Sequence, residues 1–121
     1  MKSMLIVDDE PKVCECLKTF FNAQGFSAAC AYSGEEALDR MMADQCLDLV
    51  LLDIGLPGIS GIEVLKRVKD MCPTSRVVMV TAMNDDMFEE EARAYGADAY
   101  ITKPFDFSPA TWSAILDRPQ E

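Results

Sequence analysis

Leu47-Asp48-Leu49-Val50-Leu51-Leu52-Asp53-Ile54-Gly55-Leu56-Pro57-Gly58 is an apolar run that stops abruptly on an aspartate and a turn. After Asp48 it has no polar alternation, the pattern of a strand covered on both faces, which belongs at the centre of a sheet. Asp53 then stands at the mouth of the core. Comparable polar features end the other apolar runs: Asp8-Asp9-Glu10 after residues 4–7, Thr81 after residues 77–80, and Lys103 after residues 99–101. If these runs are parallel strands, their ends share one edge of one sheet.

The intervening segments read as helices. Val13, Leu17, Phe20, Phe21 and Gln24 recur at helical spacing over residues 11–24, with Pro11 in the first turn and Gly25 as the stop. Residues 26–32 form a weaker strand of small residues. Ser33-Gly34-Glu35-Glu36 is a capping box opening a helix with Ala37, Leu38, Met41 and Met42 on its apolar face, and Ser60-Gly61-Ile62-Glu63 is a second, opening a helix with Ile62, Leu65, Val68 and Cys72. Asn84-Asp85-Asp86 offers N-caps for a fourth helix with only a thin stripe of Phe88, Ala92 and Tyr95. Ser108-Pro109 starts a fifth, carrying Trp112, Ile115 and Leu116.

Strand and helix thus alternate five times with short connections, which predicts an α/β fold: a doubly wound (βα)5 sandwich around a five-stranded parallel sheet. The first, third and fourth strands are the most continuously apolar, so the second and fifth belong at the edges. The order 2-1-3-4-5, flavodoxin-like, satisfies this. In such sheets ligands bind beyond the carboxyl ends of the strands where the order reverses, between strands one and three. Asp8, Asp9 and Asp53 all lie there.

The 121 residues suit a single domain, and with half of them apolar the chain buries a core without help from disulfides or metal. Against 11 basic residues stand 21 acidic ones, a formal charge of −10, which argues against binding nucleic acid or anionic lipid through phosphates. No apolar run reaches the roughly 20 residues of a membrane span, and the N-terminus does not read as a signal peptide, so a soluble cytoplasmic protein is expected. Five cysteines, Cys14, Cys16, Cys30, Cys46 and Cys72, show no Cys-x-x-Cys pair, and there is no histidine, which excludes a mixed Cys/His zinc site and a histidine base. Buried, reduced thiols are the expectation for most of them.

Three converging carboxylates repel one another unless a cation is present, and an all-oxygen set suits Mg²⁺ or Mn²⁺. Lys103 and Thr81 add a positive charge and a hydroxyl donor, so that metal, lysine and threonine can hold three phosphoryl oxygens around a nucleophilic Asp53. Singly, each residue has a plainer account: Asp8 or Asp9 as an N-cap, Asp53 as an Asx turn, Thr81 as a strand end, Lys103 as a solvated charge. Four separate strand ends carrying complementary chemistry favour the site.

These residues resemble the receiver domain of two-component response regulators, CheY-like in fold. The resemblance runs from Leu5-Ile6-Val7-Asp8-Asp9-Glu10 through Leu51-Leu52-Asp53-Ile54-Gly55-Leu56-Pro57-Gly58-Ile59-Ser60-Gly61 and Val80-Thr81-Ala82 to Gly96-Ala97-Asp98-Ala99-Tyr100-Ile101-Thr102-Lys103-Pro104-Phe105. It implies one receiver domain over residues 1–121 with no output domain, a phosphorylation-regulated signalling module rather than a turnover enzyme. Asp53 would accept a phosphoryl group from a phosphohistidine of a sensor histidine kinase or histidine phosphotransfer protein. Asp9 would bind Mg²⁺ directly, Asp8 through water, and Asp53 and the Gly55 carbonyl would complete the protein ligands. Lys103, followed by a cis bond to Pro104, would contact a phosphoryl oxygen. Thr81, beside small Ala82, would move toward the phosphoryl group while Tyr100 turns inward, remodelling the fourth helix, fifth strand and fifth helix for an output domain or protein target. A monomer or a phosphorylation-dependent dimer is implied. Gly55 and Met83 offer no polar side chain to orient water, so self-dephosphorylation should be slow.

Rival readings share parts of this pattern. An aspartate-nucleophile phosphatase normally has a second acid two residues after the nucleophile, where this chain has Gly55. A flavodoxin-like cofactor binder needs a phosphate cradle where this chain has Asp8-Asp9-Glu10-Pro11. A receiver-fold interaction module that is never phosphorylated would not need the complete site.

Overall fold

The computed structural model describes residues 2–43, 46–56, 58–81 and 86–102. Within them, strands and helices alternate: β1 (Lys2–Val7), α1 (Pro11–Ala23), β2 (Phe26–Ala31), α2 (Gly34–Ala43), β3 (Leu49–Asp53), α3 (Gly61–Met71), β4 (Arg76–Thr81), α4 (Asp86–Ala94) and β5 (Ala99–Thr102). The expected last helix, with Trp112, lies outside the described residues. The strands form one sheet in the order β2-β1-β3-β4-β5, every neighbouring pair parallel, as the apolar runs predict. Every residue of β3 is buried and β4 is buried after Arg76, whereas β2 and β5, at the edges of the described sheet, are mostly half-buried.

Alternation of side chains along the strands divides the core into two layers. Met4, Ile6, Leu49, Leu51, Val78 and Val80 pack with Cys14, Leu17 and Phe21 of α1 on one face. Leu5, Val7, Val50, Leu52, Val77 and Met79 pack on the other with Ala37, Leu38 and Met41 of α2, the apolar face of α3, and Ala92 of α4. Ala92 is the buried residue of α4 among those whose side chains are described, so this helix holds to the sheet by a thin contact.

The capping serines behave as their spacing predicts, with one shift. Ser33 Oγ accepts from the Glu36 N–H at 3.0 Å, but the Glu36 carboxylate reaches back to the Tyr32 N–H at 2.8 Å, one residue before Ser33. Ser60 Oγ accepts from the Glu63 N–H at 3.2 Å, while the Glu63 carboxylate turns to Arg67 at 3.1 Å. The second box is therefore half-formed, because an (i, i+4) arginine competes for the acid.

The amino ends of the strands are closed by polar straps. Asp48, just before β3, accepts from the Ser3 N–H at 2.9 Å, and Ser75 donates its hydroxyl to the Leu47 carbonyl. Asp98 Oδ2 accepts from both the Val77 N–H at 2.8 Å and Lys69 Nζ at 3.0 Å, tying β5 and α3 to β4. Here one expectation fails: Cys46 and Cys72 are joined in a disulfide, with Cα atoms 5.6 Å apart. They are 26 residues apart in sequence, and the sheet brings the approach to β3 against the end of α3. Cys14, Cys16 and Cys30 remain free thiols. Cys14 is buried and Cys16, two residues on, is exposed, as helical geometry demands. No described helix is long and apolar enough to cross a membrane.

Candidate functional site at the carboxyl ends of β1 and β3

The register builds the acidic site. Val7 pairs with Leu52 across β1 and β3, so Asp8 and Asp53, the next residue on each chain, come side by side where the strand order reverses. Their alternation follows Ile6 and Leu51, placing both carboxylates on the α1 face, at a small cleft also lined by Ile6, Leu17, Leu51 and Val80. Asp9, the next residue, is exposed. Asp8 and Asp53 are 3% and 8% exposed, and one carboxylate oxygen from each of Asp8, Asp9 and Asp53 lies within 4.8 Å of the others. Two unit charges at that spacing repel by roughly 1 kcal/mol in a water-like dielectric and roughly 3 at an effective dielectric of 20. Hard oxygen donors held together against this repulsion fit a divalent cation such as Mg²⁺.

Both buried aspartates also shape their own turns. Asp8 Oδ1 accepts from the Glu10 N–H at 2.9 Å, and Asp53 Oδ1 accepts from the Gly55 N–H at 2.9 Å. The Asx-turn account of Asp53 is therefore correct as far as it goes, and the turn aims the carboxylate rather than replacing its part in the cluster. The N-cap account of Asp8 is not: Glu10 occupies that position on α1 and makes no side-chain cap bond.

The β3–α3 turn is held tightly against Asp53. The Gly61 N–H donates to the Ile54 carbonyl at 3.3 Å, and a Cβ on Gly61 would lie 2.7 Å from the Asp53 carbonyl oxygen. Gly58, at φ +78°, packs on the Glu35 carboxylate, which accepts from the Ile59 N–H at 3.2 Å. Sequence reasoning meets Glu35 only inside the capping-box stretch that opens α2; its tether to the turn carrying Gly55 depends on packing between α2 and α3 and has no local signal. Beneath Asp8, the Cys14 thiol donates to the Asp8 carbonyl at 3.3 Å. Burial first, then the neighbouring Cys30 thiol and the Asp8 carboxylate, push Cys14 up from the ordinary 9.0 to about 12.

Thr81 ends β4 and is 1% exposed. Asp53 pairs with Val80, so Thr81 lies one residue farther out and, by alternation, on the opposite face of the sheet. It shares that face with Tyr100, which pairs with Met79 and packs against the α2–α4 core layer. Thr81 and Tyr100 are thus diagonal neighbours on adjacent strands, while an approach of Thr81 to Asp53 runs around the sheet edge. Ala82, Met83, Lys103 and Pro104, each assigned a part above, lie outside the described residues.

Comparison with known proteins agrees with this geometry. The sequence model of the family described as "Response regulator receiver domain" matches residues 4–111. Sporulation initiation phosphotransferase F of Bacillus subtilis is 38% identical over 105 residues, covering 87% of this chain and 84% of that protein. Response regulator SaeR of Staphylococcus epidermidis is 35% identical over 105 residues, 87% of this chain but 45% of its own length, so this chain spans about half of that relative. Among solved structures, response regulator TrrA of Thermotoga maritima, in complex with Mg²⁺ and BeF, superposes with a TM-score of 0.80 at 35% identity, covering 91% of this chain and 93% of the other.

Proposed function

The chain belongs to the response regulator receiver domain family, and on that premise we propose that Asp53 is its phosphoacceptor, drawing the phosphoryl group from a phosphohistidine of a sensor kinase or phosphotransfer protein. The observation that carries this reading is the convergence of Asp8, Asp9 and Asp53 within 4.8 Å at the point where the strand order reverses. An Asp53 oxygen attacks phosphorus in line; the new O–P bond forms as the N–P bond breaks, and its electron pair returns to the imidazole nitrogen of the donor. Asp9, Asp8, Asp53 and the Gly55 carbonyl hold Mg²⁺, with Mn²⁺ able to replace it. The ion, when bound, neutralises charge on the phosphoryl oxygens.

Lys103 and Thr81 receive the remaining phosphoryl oxygens. The diagonal placement of Thr81 and Tyr100 supports their coupling: Thr81 moves toward the phosphoryl group and Tyr100 follows inward. The thin hold of α4 makes it the element that this shift displaces, and with β5 and the segment after Lys103 it forms the surface read by an output domain or protein target. Glycine at 55 and methionine at 83 offer no polar side chain to orient a hydrolytic water, so the phosphoryl group is long-lived and the domain signals rather than turns over substrate. Residues 1–121 act as one receiver domain, monomeric or dimerising on phosphorylation, in the cytoplasm.

Incubation with acetyl phosphate, followed by intact mass, tests the reading. One phosphate adduct is expected in the wild type with Mg²⁺ and none with EDTA or in Asp53→Ala. An adduct that persists in Asp53→Ala contradicts it.

A further inference from the structure

The Cys46–Cys72 disulfide lies at the end of β3 remote from Asp53, and nothing in the phosphoacceptor chemistry uses it. We infer that it is a reversible thiol–disulfide modification site, opened by dithiol reductants through attack at the exposed Cys46 and closed again by disulfide oxidants of the glutathione class.

The two cysteines differ in exposure. Cys46 is exposed, whereas Cys72, at the C-cap of α3, is 3% exposed. An incoming thiolate therefore forms its bond to Cys46 Sγ as the S–S bond breaks. Cys72 leaves with the electron pair and takes a proton from water. The second thiol of the reductant then displaces Cys46, so that one protein disulfide and one dithiol become two protein thiols and one reductant disulfide. Closure by glutathione disulfide is the reverse exchange, with two glutathione thiols released.

The surrounding structure does not depend on the bond. The Cys72 N–H donates to the Val68 carbonyl at 2.7 Å, completing the helix end. The Arg76 N–H donates to the Asp48 carbonyl at 3.0 Å, and Ser75 donates to the Leu47 carbonyl, so both sides of the bridge are tied to β3 and β4 without it. Once reduced, the Cys46 thiol finds the Met71 carbonyl oxygen 3.8 Å away. These straps keep the two cysteines close after reduction, which favours re-closure as an intramolecular step. Cys14, Cys16 and Cys30 have no part in it.

Proteolytic mapping of wild-type protein equilibrated with oxidised glutathione or with dithiothreitol, alongside thermal melts, tests the inference. A Cys46–Cys72 linked peptide is expected only in the oxidised sample. Reduction should lower Tm by on the order of 10 °C, the effect of opening a loop of this size, with a folded far-UV spectrum retained at 25 °C. Cys46→Ser should melt like the reduced wild type in both buffers. An oxidised sample without the linked peptide, a reduced protein that is unfolded at 25 °C, or a redox-dependent Tm that persists in Cys46→Ser overturns it.

Discussion

The two ends of β3 solve opposite problems. At its carboxyl end, Asp53 is buried beside Asp8 and within reach of Asp9, like charges gathered where each raises the free energy of the others. At its amino end, polar and covalent straps join the described elements: Asp48 with Ser3, Asp98 with Lys69 and the Val77 amide, Ser75 with Leu47, and Cys46 with Cys72. Like charges are gathered at one end of the strand, and cross-links between elements are gathered at the other.

Removing a carboxylate charge should therefore have opposite signs at the two ends. Asp98→Ala at the closed end strips an acceptor from a partly buried lysine and a strand amide, and should cost about 3 kcal/mol in urea unfolding. At the reacting end Gly61→Ala drives a methyl into the Asp53 backbone and should cost about 2 kcal/mol, with weaker phosphorylation because the β3–α3 turn is displaced. Asp9→Asn should act the other way. Without Mg²⁺ it relieves repulsion and raises Tm by a few degrees, while the stabilisation that Mg²⁺ gives the wild type disappears. A loss of stability in this variant without metal would break the contrast between the ends.

The smallest effect is expected from Cys14, under the site. Its pKa is raised in the folded state to about 12 from the ordinary 9.0, so the unfolded chain releases its proton first. Its contribution is intact below about pH 9 and is lost as pH climbs from 9 toward 12. Cys14→Ala should flatten the fall in stability across that window in alkaline denaturation series, and native Cys14 should resist alkylation at pH 8 where exposed Cys16 reacts.

The reacting end was far more legible in the sequence than the closed one. Asp8, Asp9 and Asp53 end apolar runs, so strand order alone brings them together, and the unbroken apolarity of residues 49–52 marks β3 as central. The closed end is built from contacts that no local pattern announces. Cys46 and Cys72 have metal-free, motif-free spacing and met the ordinary expectation of reduced thiols, which only the approach of α3 to β3 overturns. Asp98 sits in a segment that carries the family resemblance, yet its work as a strap between Lys69 and Val77 depends on the β4–β5 register. Glu35 is likewise silent until α2 meets the β3–α3 turn.

The central claim is that the gathered carboxylates make one of their number, Asp53, the acceptor. Borohydride trapping of the acyl phosphate after reaction with acetyl phosphate and Mg²⁺ converts the modified aspartate to homoserine, which peptide sequencing by mass spectrometry locates. Homoserine at position 53 alone is the predicted result; homoserine at position 8 or 9, or at none of the three, contradicts the account.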